Sequence, residues 1–114
     1  MGKIALAIMI AFLASCNFFF QTQVSFENST SSYTFLAIKI GSVDDETPLA
    51  PNQQTSFAPI GQGSYYLYTK GIDGIWYQWP AQQPIAAGYS YTIIFSVDST
   101  TNNLSYSTYV ALEQ

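Results

Sequence analysis

The sequence predicts an all-β protein, a single antiparallel β-sandwich of about seven strands that follows an N-terminal signal segment. After residue 23, apolar residues recur with a period of two, as in strands, and no segment shows a helical repeat. Aromatic residues make up 17% of the chain and charged residues 9%, so the chain can bury a substantial core. Turn residues separate the alternating segments at short intervals, which is typical of sandwiches.

The predicted strands are bounded by turns rich in glycine, proline and asparagine. In chain order they cover residues 24–28, 33–40, 55–59, 64–70, 75–79, 89–97 and 104–112. The polar run 28–32 and the acidic run Asp44-Asp45-Glu46 are predicted turns. Pro59 favours an edge position for the third strand, because proline cannot donate to a ladder. Two segments, Asn28-Ser29-Thr30 and Asn103-Leu104-Ser105, fit the N-glycosylation pattern, but we interpret them as turn residues.

The turn between the fourth and fifth strands decides which of their side chains face the core. A two-residue Asp73-Gly74 turn would bury Gln78, which costs roughly 1–3 kcal/mol if the amide finds no partner. A three-residue loop, 72–74, with Gly74 in the left-handed conformation, pairs Gly71 with Ile75 instead. We favour this loop, which directs five apolar side chains to the core: Tyr65, Leu67, Ile75, Tyr77 and Trp79.

The last two strands alternate cleanly and predict a sheet with one dry face and one wet face. The dry face carries Tyr91, Ile93, Phe95 and Val97 from one strand and Leu104, Tyr106, Val110 and Leu112 from the other. The wet face carries hydroxyls rather than charges: Thr92, Ser96, Ser105, Ser107 and Tyr109. Such a surface suits contact with an envelope polymer or another protein.

The N-terminus carries the signal that locates the protein. An apolar run from Ile4 follows Lys3 and ends in Leu13-Ala14-Ser15-Cys16, with small residues before the only cysteine. This motif resembles the lipobox of bacterial lipoproteins, in which signal peptidase II cuts before a cysteine that becomes lipidated. The resemblance implies a signal peptide over 1–15, a lipidated Cys16 with a short tether over 16–23, and a β-sandwich domain over 24–114.

The alternative interpretations of this segment are an uncleaved anchor and an ordinary secretory signal. Residues 4–20 contain few polar side chains and reach 17 residues, the lower limit for spanning a bilayer. All of these interpretations place the domain outside the cytoplasm, and the lipoprotein resemblance implies the bacterial cell envelope. The residue after the cysteine is Asn17. In enteric bacteria an aspartate at this position resembles a signal for retention in the inner membrane. Asparagine therefore favours the outer membrane, if the host has one.

A second resemblance concerns the domain. The run Tyr65-Tyr66-Leu67-Tyr68 and the later run Ile85-Ala86-Ala87-Gly88-Tyr89-Ser90-Tyr91-Thr92-Ile93 are similar to a pattern in small bacterial envelope β-sandwich domains of unknown function. It covers about a third of the chain after Cys16. The resemblance implies an immunoglobulin-like or transthyretin-like fold and no activity.

Charge excludes one class of partner. Beyond Lys3 the chain has two lysines and no arginine against seven carboxylates, so a nucleic acid partner is not expected. The same balance offers no attraction to anionic lipid headgroups. Membrane attachment must therefore come from the acyl chains, with Phe18, Phe19 and Phe20 as a further candidate. An envelope polysaccharide or a protein is the expected partner.

The only constellation with chemical interest lies on the side of the fourth and fifth strands that faces away from the core. It consists of three aromatic rings, Tyr66, Tyr68 and Trp76, flanked by Lys70 and Gln78. Rings of this kind stack on sugars while the polar groups bind hydroxyls, and Lys70 over Trp76 would form a cation–π pair. Alternatively, a second sheet or a loop over residues 80–87 covers the rings as part of a core.

Catalysis finds little support. The chain has no histidine to shuttle protons and no nucleophile motif, and Cys16 is assigned to the lipid. The adjacent acids Asp44, Asp45 and Glu46 cannot all turn toward one cation, so we expect a solvated turn, no metal and no cofactor. The sequence therefore predicts a lipid-anchored binding or structural module without catalytic activity. The alternatives are a carbohydrate-binding surface protein and, least favoured, a hydrolase with paired carboxylates.

Overall fold

The computed structural model describes residues 22–112. The predicted signal peptide, Cys16 and most of the predicted tether lie outside the described residues. Within them the protein is all-β, with two four-stranded sheets packed face to face. The eight strands are β1 (Gln23–Asn28), β2 (Ala37–Ile40), β3 (Val43–Asp45), β4 (Ala58–Pro59), β5 (Gly63–Lys70), β6 (Trp76–Ile85), β7 (Tyr89–Val97) and β8 (Leu104–Leu112).

One sheet has the strand order β4-β1-β7-β8 and the other β3-β2-β5-β6; we call them the β7 sheet and the β5 sheet. All neighbouring strands are antiparallel except β1 and β7, which run parallel from Gln23 beside Ser90 to Asn28 beside Phe95. The prediction of a purely antiparallel sandwich is therefore wrong at this pair. Parallel neighbours need a long connection, and here the chain between them builds the whole β5 sheet.

The predicted strand boundaries differ from the observed ones in four places. The strand predicted over residues 33–40 begins only at Ala37. The acidic run is not simply a turn, because Asp44 and Asp45 belong to β3 and pair with β2. The predicted edge strand at 55–59 shrinks to the two residues of β4. The predicted loop over 80–87 is wrong for residues 80–85, which continue β6 past Pro80 and Pro84. Proline is tolerated there because β6 is an edge strand, where a missing N–H leaves no neighbour unpaired.

The register predicted for the β5–β6 hairpin is confirmed. Lys70 pairs with Trp76 and Thr69 with Tyr77, which leaves Gly71 opposite Ile75 and residues 72–74 as the loop. Gly74 has φ +78°, the left-handed conformation that glycine adopts without a Cβ penalty. The Gly74 N–H donates to the Gly71 carbonyl at 2.9 Å and closes the loop. Trp79 consequently faces the core and Trp76 faces outward.

The core lies between the sheets, and the Trp79 indole connects them. Its ring lies 6.0 Å from Phe95 of β7 and edge-on to Tyr106 of β8 at 5.1 Å, measured between ring centroids. The indole N–H donates to Thr69 Oγ1 at 3.1 Å, so the buried polar atom is satisfied. Around it lie the other buried apolar side chains, including Val24, Phe26, Phe35, Ile38, Ile40, Leu67, Ile93 and Phe95.

The side chains of β7 and β8 lie on the predicted sides of the sheet, but their exposure to solvent differs from the prediction. Thr92, predicted to be wet, is buried and shares a 3.2 Å hydrogen bond with the buried Ser25 of β1. Val110 and Leu112, predicted to be dry, remain exposed. Alternation determines the side of a sheet on which a residue lies, whereas burial depends on which neighbours cover that side.

The side chain of Asn28 is buried and joins three segments of the chain. Its amide nitrogen donates to the carbonyls of Tyr33 and Leu49 at 2.9 and 3.0 Å. Its oxygen accepts from the backbone N–H and the hydroxyl of Thr30 at 3.0 and 2.6 Å. The interpretation of Asn28 as a plain turn residue is therefore wrong: it is the last residue of β1 and organises the polar turn after it.

We predict that Trp79→Ala destabilises the protein far more than Trp76→Ala. Truncating a buried large aromatic residue costs roughly 3–5 kcal/mol, whereas Trp76 is 43% exposed and loses mainly its contact with Lys70, about 0.5–1 kcal/mol. Urea denaturation of the two variants measures the difference. Equal losses, or the reverse order, would contradict the observed hairpin register.

We predict that Asn28→Asp destabilises the protein while Asn103→Asp, in the second sequon, does not. The first change removes two N–H donors and places a carboxylate against two carbonyl oxygens; an unsatisfied buried polar group costs roughly 1–3 kcal/mol. Asn103 is exposed in the β7–β8 turn. Thermal unfolding compares the variants, and an unchanged melting temperature for Asn28→Asp would refute the structural role of this amide.

Candidate functional site

The structure brings the five predicted ligand-binding residues together on the outer face of the β5 sheet. Tyr68 pairs with Gln78, and Lys70 pairs with Trp76, so these side chains share one face. The residues that alternate with them, Leu67, Thr69 and Trp79, are buried on the other face. We call this surface the aromatic platform; it consists of Tyr66, Tyr68, Lys70, Trp76 and Gln78.

The platform is open to solvent. Tyr66 and Trp76 are 38% and 43% exposed, and Tyr68 and Lys70 are half-buried. The alternative in which residues 80–87 cover the rings is wrong, because β6 continues beside β5 in the plane of the sheet. The predicted cation–π geometry is present, with Lys70 Nζ 5.8 Å from the centroid of the Trp76 ring.

The aromatic rings of the platform lie at successive positions along the sheet. Tyr66 and Tyr68 lie two residues apart on β5, about 7 Å along the strand, and Trp76 lies across from Lys70 in the next row. Gln82 pairs with Tyr66 and adds a second amide to the surface. The rings therefore offer successive contacts along an extended ligand instead of one shared plane.

Both lysines of the described residues belong to this face. Lys39 of β2 pairs with Tyr68 on one side and with Asp44 of β3 on the other. Cross-strand pairing therefore places Lys39 and Lys70 beside the aromatic rings, with the Asp44 carboxylate on the edge strand β3. The whole chain has a formal net charge of −4, and within residues 22–112 the positive charge is concentrated on this face.

A second surface, which the sequence did not predict, is a cleft at one end of the sandwich. This open cleft has a volume of about 1000 Å³ and lies between three segments: residues 31–35, the tip of the β5–β6 hairpin and the β7–β8 turn. Its apolar lining includes the exposed side chains of Tyr33, Ile72, Ile75 and Tyr77, and Trp79 lies beneath Tyr77 at a centroid distance of 5.4 Å. We call this surface the polar-rimmed cleft.

Ile75 and Tyr77 were predicted to lie in the core. They do lie on the core-facing side of β6 and the hairpin tip, but the prediction that they are buried is wrong. They are 67% and 55% exposed. The hairpin tip extends beyond its neighbour, since the ladder between β2 and β5 ends at Ala37 and Lys70. Inward-facing residues past that point therefore meet solvent instead of the β7 sheet. Trp76 lines the cleft as well and is shared with the platform.

The rim of the cleft is polar and held by short-range hydrogen bonds. It carries hydroxyl, amide and carboxylate groups from Ser31, Ser32, Thr34, Asp73, Asn102 and Asn103. In the hairpin loop, Asp73 Oδ1 accepts from the Ile75 N–H at 3.0 Å, and in the β7–β8 turn Asp98 Oδ1 accepts from the Thr100 N–H at 2.8 Å. Both loops that border the cleft are thereby shaped before any ligand arrives.

The electrostatics of the cleft are simple. Asp73 is the only carboxylate among its lining residues, and neither lysine of the described part of the chain lines it. Tyr106 packs on the cleft residue Trp79, and burial raises the pKa of its phenol above the ordinary value of 10.0, so it adds no charge beside the cleft. The arrangement suits an uncharged ligand with both apolar and hydroxyl groups.

Residues 22–112 contain one run of adjacent carboxylates, Asp44-Asp45-Glu46. The acidic run contains no cation site: Asp45 Oδ1 accepts from the Thr47 N–H at 3.0 Å, and no group of three or more metal-ligating side chains occurs in this part of the chain. None of the described residues forms a helix long and apolar enough to cross a membrane.

Comparison with known proteins supplies no further information. The chain matches no family model, no curated protein and no solved structure.

Proposed function

We propose that this chain is a lipid-anchored protein of the bacterial cell envelope, whose β-sandwich acts as a binding module without catalytic activity. The lipobox-like motif at Cys16 supports the anchor, and the polar-rimmed cleft supports the binding role. The observation that carries the proposal is the position of the cleft at the end of the sandwich opposite to the chain entry.

The chain enters the fold at Thr22. Its hydroxyl accepts from the Gly88 N–H at 2.8 Å, and its carbonyl accepts from the Ile60 N–H at 3.1 Å. These bonds hold the start of β1 beside the start of β7. The cleft lies at the far end of β7, where Val97 lines it. Nine residues of extended strand span about 27 Å, so a protein anchored just before Thr22 presents the cleft at its membrane-distal end.

The ligand class best matched by these surfaces is carbohydrate, and an envelope polysaccharide is the proposed partner. Aromatic rings with amide and hydroxyl groups occur both in the cleft and on the platform, and Trp76 belongs to both. An extended glycan would therefore have aromatic contacts from the cleft onto the outer face of the β5 sheet. A hydrolase gains no support, because paired carboxylates are needed and the cleft lining contains one.

We further infer that the two sheets form an immunoglobulin-like or transthyretin-like arrangement. Support comes from the four-stranded sheets and from the path of the chain, which passes between them after β1, β3, β4 and β6. Such crossing connections are typical of Greek-key sandwiches. The fold itself implies no activity.

The anchor is tested by Cys16→Ser in the native host. We expect the variant to lose incorporation of a labelled fatty acid and to persist as an uncleaved precursor, because the lipidated nucleophile is the cysteine thiol. The wild-type chain is the matched control, and intact mass of the membrane-extracted protein identifies cleavage. Undiminished labelling of the variant would refute lipidation at this residue.

The binding role is tested with purified envelope polysaccharide and peptidoglycan sacculi from a lipoprotein-containing bacterium. We expect wild-type protein to cosediment with one of these polymers and Trp76→Ala to reduce its affinity by about tenfold, equivalent to about 1.4 kcal/mol. Ile75→Ser changes the cleft alone and Tyr66→Ala the platform alone. All three side chains are exposed, so unfolding midpoints should stay close to wild type.

The three variants separate the possible outcomes. Loss in Trp76→Ala and Ile75→Ser locates the glycan in the cleft, and loss in Trp76→Ala and Tyr66→Ala locates it on the platform. Wild-type affinity in all three variants would exclude both surfaces. Failure of the wild-type protein to bind either polymer would contradict carbohydrate as the ligand.

A further inference from the structure

The two sheets have four edge strands, and three of them resist pairing with another chain. β3 is three residues long and carries Asp44 and Asp45. β4 has two residues and ends in Pro59. β6 carries Pro80 and Pro84, and its register with β5 shifts between Tyr66 and Tyr68. Short length, charge, proline and bulges are the features by which edge strands avoid association.

The fourth edge, β8, has none of these features. Its nine residues pair with β7 in unbroken register from Tyr89 opposite Leu112 to Val97 opposite Leu104. The strand contains no charged residue and no proline. Its outer edge presents a row of backbone N–H and C=O groups, and the side chains of Tyr109, Val110 and Leu112 are 63%, 47% and 58% exposed. It is a long, regular and uncharged strand with one side unoccupied by the described residues.

We propose that β8 pairs with β8 of a second copy, antiparallel, to form a two-fold symmetric dimer with a continuous eight-stranded sheet. Full overlap of the nine residues places Thr108 opposite Thr108 of the second copy. Leu104 then faces Leu112, and Tyr106 faces Val110, on the same side of the sheet. Aromatic and β-branched residues form favourable cross-strand pairs, and no like charges meet because the strand is uncharged.

Self-complementarity favours a second copy over another protein. About Thr108 the pattern of β8 partly matches its own reverse: leucine stands at both ends, Ser105 and Ala111 are both small, and Tyr106 and Val110 are both apolar, whereas Ser107 corresponds to Tyr109. A two-fold contact uses the same patch twice and closes on itself, so it consumes the open edge without building a fibre. It also covers Val110 and Leu112, which the single copy leaves exposed on the side that faces its own core.

The dimer would also complete the cleft. Leu104 lines the cleft, and the proposed register places Leu112 of the second copy directly across from it. The edge is already held in position, because Thr108 Oγ1 donates to Gln83 Oε1 of β6 at 2.9 Å and Tyr106 packs on Trp79. Pairing therefore requires little reorganisation of the strand.

The test uses two double variants of the full chain that differ in one side chain. In the proposed register Ser107 lies opposite Tyr109 of the second copy, twice per dimer, and both side chains are exposed in the single copy. Ser107→Lys with Tyr109→Lys places lysine against lysine at both positions. Ser107→Lys with Tyr109→Glu places lysine against glutamate at both positions and serves as the matched control.

Sedimentation equilibrium in density-matched detergent gives the dimer dissociation constant of each protein. We expect a dimeric wild type, an increase of about tenfold or more for the double-lysine variant, and a value within about threefold of wild type for the lysine–glutamate variant. Thermal unfolding verifies that both variants fold. A monomeric wild type, equal dimerisation of both variants, or loss of the dimer in both would each overturn the proposed pairing.

Discussion

The orientation of Trp79 is the constraint on which both surfaces of this protein depend. Its indole occupies the space between the sheets and contacts Phe95 and Tyr106 from the β7 sheet while it donates to Thr69 within its own sheet. Because side chains alternate along a strand, an inward Trp79 requires an outward Gln78 and an inward Tyr77. The same ring lies beneath Tyr77 in the cleft. The packing of the core, the platform and the cleft therefore all depend on the same register between β5 and β6.

The irregularity in β6 preserves that register. Between the pairs Tyr68–Gln78 and Tyr66–Gln82, β5 has one residue, Leu67, whereas β6 has three. Two additional residues amount to one full period of a strand, so the side chains on either side of the bulge keep their faces. Gln82 therefore extends the platform, and Ile85 returns to the core. A one-residue bulge would have exchanged the faces of the whole second half of β6.

The sequence was informative wherever alternation and turn chemistry determine the answer. The cost of burying Gln78 and the preference of Gly74 for left-handed backbone were sufficient to select the three-residue hairpin loop. The parallel pairing of β1 with β7 could not be predicted this way, because strand order depends on contacts between distant segments. The exposure of Ile75 and Tyr77 could not be predicted for a related reason. The alternation of apolar residues indicates on which side of a sheet a residue lies, but the lengths of the neighbouring strands decide whether that side is covered.

The proposed anchor at Cys16 and the proposed dimer constrain each other. The β8 strands of a two-fold pair run in opposite directions, so the two Thr22 residues lie at opposite ends of the extended sheet. The six residues after Cys16 reach at most about 21 Å, less than the roughly 27 Å length of β7.

Two copies anchored in one membrane can therefore pair only when the extended sheet lies along the membrane instead of standing upright on it. The β7 sheet, which contains β1, is then nearer the lipid, and the platform with Lys39, Lys70 and Trp76 faces away from it. Under the proposed anchoring and pairing, a single copy directs its cleft away from the membrane, whereas a paired copy directs its platform away from it. The oligomeric state would then determine which aromatic surface meets the proposed envelope polymer.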